Sequence, residues 1–163
     1  MVWGLRTMSL IHPEEHFRLG MAALKSGKNV RAASHFHDAI SEVERLDPDR
    51  SEPRYTSYYG FSLALAHRPK REFISMCEQA ARTAPTNPEI HANLGRVYLL
   101  AGHRSKALAA LAKGLKLAPD DKRLRALLSK FDRRRPPVIP GLGRDHAFNV
   151  AAGKLRHRLS QSR

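Results

Sequence analysis

Between Asn87 and Pro119 the chain reads NPEIHANLGRVYLLAGHRSKALAALAKGLKLAP, one pass of a helix–turn–helix unit. Leu94-Gly95, Tyr98, Gly102, Ala107, Leu111 and Pro119 recur at the offsets of a repeat of about 34 residues. A unit of that kind cannot bury its own apolar face, so sister units must stack on it. They are present. His16–Pro48 opens with Leu19-Gly20, turns at Gly27, and places Ala32, Phe36 and Ala39 on a second helix. Pro48 arrives about one helical turn late, which predicts an extended second helix. The middle copy, Pro53–Pro85, is the most degenerate: Tyr59-Gly60 answers Leu94-Gly95, Ala80 and Pro85 answer Gly114 and Pro119, and its turn, His67-Arg68-Pro69, lacks a glycine.

The spacing has a physical reason. Gly20, Gly60 and Gly95, then Ala32, Ala39, Ala80 and Ala107, fall where two helix backbones must approach closely, and Tyr98, Phe36 and Leu111 fill the space between pairs. Pro13 followed by Glu14-Glu15, and Asn87-Pro88-Glu89, put proline in a first turn and acids at the positive end of a helix dipole. Asn87 is a suitable N-cap. An Asp-Pro or Ala-Pro after each second helix ends it.

These offsets resemble those of tetratricopeptide repeat (TPR) proteins over about residues 13–134. The resemblance implies an all-α fold: a right-handed superhelical array of antiparallel helix pairs, with a C-terminal capping helix and a basic tail ending in a short helix. The expected divisions are an N-terminal extension (1–12), repeats at about 13–48, 53–86 and 87–120, a capping helix (120–134), a Pro/Gly-rich linker (135–144) and an amphipathic basic helix (145–160). Leu124, Leu127, Leu128 and Phe131 give the capping helix one apolar face, which an array needs to close its last pair. The ending, RRPPVIPGLGRDHAFNVAAGKLRHRL, also looks like the tail of some bacterial TPR proteins.

TPR proteins bind peptides or helices in a concave groove lined by the first helix of each pair. Carried over by position, that groove comprises Glu14, Phe17, Met21, Leu24 and Lys25, then Arg54, Ser57, Phe61 and Leu65, then Glu89, Ala92, Arg96, Leu99 and Leu100. About half of these are expected to be solvent-accessible, since neighbouring first helices also pack together. TPR domains that clamp the carboxylate of chaperone tails use Lys, Asn and Arg at positions that hold Phe17, Met21, Tyr58 or Tyr59, Glu89 and Asn93 here. The clamp is absent. Apolar residues at the groove centre suit an apolar segment or amphipathic helix instead.

Charge is uneven along the chain. Residues 122–163 hold 12 Lys and Arg against 2 Asp and Glu, whereas residues 1–121 hold 17 against 13, so most of the net +14 is C-terminal. Arg133, Arg134, Arg135, Arg144, Lys154, Arg156 and Arg158 form this basic tail, which either folds onto the repeats or meets a partner. Its Phe148 stripe favours docking on protein. Nucleic acid or the ribosome is the alternative partner for such charge, although Phe131 and Phe148 alone support base stacking poorly. A small three-repeat secretion chaperone fits the length, but those are generally acidic.

Other signals are weaker. His12-Pro13-Glu14-Glu15-His16 matches a zinc-peptidase string, yet Pro13 at the first helical position leaves His12 outside the helix. His35-Phe36-His37 puts two imidazoles on either side of a core phenylalanine, which reads as surface histidines rather than a metal site. Arg134-x-x-Pro137-x-x-Pro140 matches a proline-motif ligand, a match common by chance. Gly141-Leu142-Gly143 has no preceding strand and no Walker lysine. Cys77 lies in a predicted second helix as a packing residue. No nucleophile stands beside a base, so no enzyme, metal or cofactor is expected. No apolar run reaches the roughly 20 residues of a membrane span, and residues 1–12 lack a signal-peptide pattern, though Met8 offers a second start. The expectation is a cytoplasmic protein-interaction scaffold whose partner is another protein.

Overall fold

The computed structural model describes residues 12–131 and Val150, with the side chains of Lys130 and Phe131 not included. Among the described residues there are seven helices and no strand: α1 (Pro13–Lys25), α2 (Asn29–Leu46), α3 (Pro53–Ala66), α4 (Arg71–Thr83), α5 (Pro88–Leu100), α6 (Arg104–Leu117) and α7 (Lys122–Phe131). Helices α1/α2, α3/α4 and α5/α6 are the three pairs, and α7 packs on α6. None is long and apolar enough to cross a membrane.

Local chemistry sets each boundary. Pro13, Pro53 and Pro88 open α1, α3 and α5, where proline's missing N–H costs nothing. The Asn87 side chain accepts from the backbone N–H of Glu89 and Ile90, the cap expected from sequence. His12 stands outside α1 as its N-cap and accepts from Glu14 N–H. Its imidazole therefore does not share a helical face with His16.

The turns of the first and third pairs are the same device. Gly27 and Gly102 adopt φ of 70° and 79°, a left-handed conformation that other residues enter only with strain. In each turn a backbone N–H reaches back across the helix end, Lys28 to Ala23 and His103 to Tyr98, both at 2.9 Å, as in a Schellman cap. The middle pair leaves α3 through extended backbone at His67 and needs no glycine. The second helices end at Asp47, Ala84 and Ala118, each pulled out of helical geometry by the proline that follows. At 18 residues α2 is the longest helix, in keeping with the late Pro48.

Three apolar clusters run through the stack. Phe17, Phe36, Tyr55 and Tyr58 join the first pair to the second, with ring centroids 4.9–5.4 Å apart. Phe61, Cys77, Ile90, Leu94 and Val97 join the second to the third. Leu111 and Leu124 are fully buried with Ala92, and Leu127 and Leu128 pack alongside, so α7 closes the array. Asp121 caps it by accepting from Leu124 N–H at 2.9 Å. The close-approach positions are as tight as their spacing implies: a Cβ on Gly20 would stand 2.6 Å from the Phe36 ring, and one on Gly95 would stand 2.6 Å from Leu111.

Cys77 is wholly buried against α3 and its thiol donates to the Ser57 carbonyl. Burial pushes its pKa up to about 12, so it stays protonated near neutrality. The native chain is expected to resist a thiol-reactive dye at pH 8 and to label fully once unfolded in urea. Rapid native labelling would show that α4 opens readily. From about pH 8.5 upward the unfolded thiol ionises first, so stability declines as pH rises through that range.

Candidate functional site

Helices α1, α3 and α5, the first of each pair, share a face whose chemistry changes along its length. At their N-terminal ends runs a line of charge. Arg54 on α3 donates to Glu89 on α5 at 3.1 Å and lies 3.9 Å from Glu14 on α1. Its guanidinium also lies over the Phe17 ring, 4.2 Å from the centroid. Tyr55 donates its hydroxyl to Glu14 at 2.6 Å. Burial, then the Glu14 bond, raise the Tyr55 pKa well above the usual phenol range, so it remains a donor. All three pairs are thereby tied at one end.

One turn further along, the line becomes buried and neutral. Asn93 on α5 donates to the Ser57 hydroxyl on α3 at 3.3 Å, and both are fully buried. Arg96 donates to the Asn93 carbonyl oxygen at 3.3 Å and lies over the Phe61 ring at 5.6 Å. It is half-buried and has no carboxylate partner among the described residues. Beyond it the face turns apolar: Leu24, Leu65 and Leu99 are half-buried on one core cluster, and Leu100 is 43% exposed.

Not every position carried over from the resemblance is available to a ligand. Phe17, Ser57, Phe61 and Ala92 are buried and form the floor. Glu14, Lys25, Glu89 and Leu100 are exposed, and Met21, Leu24, Arg54, Leu65, Arg96 and Leu99 are half-buried. Tyr55 was not among the positions taken from sequence, and Asn93 entered only as a residue standing at a clamp position, without its bond to Ser57. All seven basic-tail residues, from Arg133 to Arg158, lie outside the described residues, as do the linker, the last helix apart from Val150, and the N-terminal extension apart from His12.

A second recess of about 720 Å³ lies among the α3–α4 turn, α4, α5 and the α5–α6 turn, lined by Arg68, Arg71, Glu78, Tyr98, His103 and Lys106 among others. Tyr98 donates to Glu78 within it. Burial, then that bond, push the Tyr98 pKa up to about 12.

Residues 74–131, from within α4 through α7, match the tetratricopeptide repeat family model. The fold matches solved TPR domains over most of the chain. The Sgt2 TPR domain from Aspergillus fumigatus superposes with a TM-score of 0.61 at 16% identity, over 77% of this chain and 82% of that one. This is a tetratricopeptide-repeat fold. The second TPR domain of human RPAP3, solved with an HSP70 peptide, matches with a TM-score of 0.55 at 19% identity, over 75% of this chain and 99% of that one. PcrH in complex with the chaperone-binding region of PopB matches with a TM-score of 0.50 at 20% identity, over 80% and 97%. No curated protein sequence is a detectable relative.

Proposed function

We propose that this TPR protein is an interaction scaffold whose concave face binds a short apolar segment or amphipathic helix of another protein. An acidic group or backbone carbonyl of that segment would meet Arg96. The observation that carries this reading is the state of Arg96. It is held in place by Asn93 and the Phe61 ring, among the described residues no carboxylate meets its remaining donors, and half-buried leucines continue the face beyond it. A guanidinium fork fixed in this way is ready for a planar acceptor at little entropic cost.

Two of the similar folds were solved with a protein segment bound, the HSP70 peptide and the PopB region, which supports the same mode here. The positions of a carboxylate clamp hold Phe17, Met21, Tyr58, Tyr59, Glu89 and Asn93 instead, and Phe17, Tyr58 and Asn93 are buried. That composition favours an apolar ligand over an acidic tail.

Selection from a random peptide display library on the full chain tests the proposal. Enriched peptides are expected to carry apolar residues three and four apart with an acid at one end. Substituting Arg96→Glu or Leu99→Asp should weaken each by about 10-fold, the level of an interface anchor, with thermal melts checking that the variants fold. Peptides that bind both variants as well as the original chain would place the site elsewhere.

A further inference from the structure

We propose that His16, His35 and Asp38 form a site for a divalent transition-metal ion, with zinc the best match, that clips α1 to α2. His16 projects from α1, and His35 and Asp38 are three residues apart on α2, which puts them on one face of that helix. One ligand atom from each lies within 4.8 Å of the others. His16 Nδ1 is 3.9 Å from Asp38 Oδ2, and the two imidazole centroids are 6.2 Å apart.

A second observation falls on the same two histidines. Nδ1 of His16 and Nδ1 of His35 are both buried with no hydrogen-bond partner. Native structures rarely leave buried polar atoms unmet. An ion pair between protonated His16 and Asp38 would satisfy one nitrogen and leave His35 as it is. A cation held by one nitrogen of each ring and by the carboxylate engages all three side chains together.

The dimensions are suitable. Zinc bonds of about 2.0–2.2 Å set neighbouring tetrahedral ligands roughly 3.3 Å apart, so the His16–Asp38 pair at 3.9 Å has to close by about half an ångström and pairs as wide as 4.8 Å by about 1.5 Å. Asp38 can make that adjustment, because its side chain is 45% exposed. The same exposure gives an ion its way in and leaves a position for water. Two imidazoles and one carboxylate suit zinc and its neighbours rather than magnesium or calcium, which take oxygen ligands. His37, whose Nδ1 is 4.0 Å from the other Asp38 oxygen, is exposed and lies outside the cluster.

The test titrates zinc, and cobalt as a coloured stand-in, into the full chain after chelator treatment. Calorimetry is expected to show a specific site, and zinc should raise the melting temperature. His35→Gln and Asp38→Asn should each weaken that site by about 100-fold, at least what loss of a supporting group costs. His37→Gln and His67→Gln should leave it unchanged. Asp38 is at the surface, so its variant keeps the test valid if the His35 variant fails to fold. No specific binding, or equal binding by the Asp38→Asn chain, would overturn the proposal by assigning any bound ion to other histidines.

Discussion

Replacing Phe36 with alanine is expected to lower the unfolding free energy by about 3–5 kcal/mol. A domain of this size has a total stability of about 5–15 kcal/mol, so the variant should be close to unfolding. Phe36 is fully buried, contacts the rings of Phe17 and Tyr58, and fills the space that Gly20 leaves open on α1. The loss combines the transfer of the ring to water with a cavity that aromatic neighbours, themselves packed edge and face, cannot close. Because each repeat leans only on its neighbours, the damage should begin in α1 and α2. Urea denaturation checks this, with the shift read in the midpoint at constant slope. A change below about 1 kcal/mol would mean that the first pair collapses around the deletion.

The second large effect belongs to Gly95 and Leu111. Leu111→Ala alone should cost about 2–5 kcal/mol, since the side chain is fully buried between α5 and α7. Gly95→Ala alone should also destabilise, by about 1–3 kcal/mol, because its new methyl would sit 2.6 Å from Leu111 Cγ. The better helix propensity of alanine, about 1 kcal/mol, offsets only part of that. Combined, the two substitutions should cost less than their sum, since the methyl enters the space the leucine vacated. A double-mutant cycle measures the coupling. Strict additivity would show that the two sites do not share that space.

The repeat at Asn87–Pro119 was legible because its constraints are local. A cap, a left-handed glycine and a proline after the second helix act through a few neighbouring residues, and Asn87, Gly102 and Pro119 take those roles. That Gly95 marks a close helix approach was legible too, although Leu111, read as filling the space between pairs, packs against it within the α5/α6 pair. Less could be read where partners lie far apart in sequence. Tyr55 meets Glu14 across 41 residues and Asn93 meets Ser57 across 36, and no periodicity announces either pair. Phe17 and Phe61 were read as groove lining, yet packing from two sides buries them. His35 was read as a surface histidine, but the register of α1 on α2 buries its Nδ1. His37, two residues on, is 60% exposed as expected.

Arg54 is occupied by two acids of its own chain, Glu14 and Glu89, and Arg96 by none among the described residues. A visiting carboxylate therefore has to displace resident acids at Arg54, and among the described residues it meets none at Arg96, midway along the face. The two arginines are alike in chemistry but unequal as acceptors of company, and that inequality gives the face a direction. A segment with its acid at one terminus and its apolar residues at the other would fit in one orientation and be refused in the reverse.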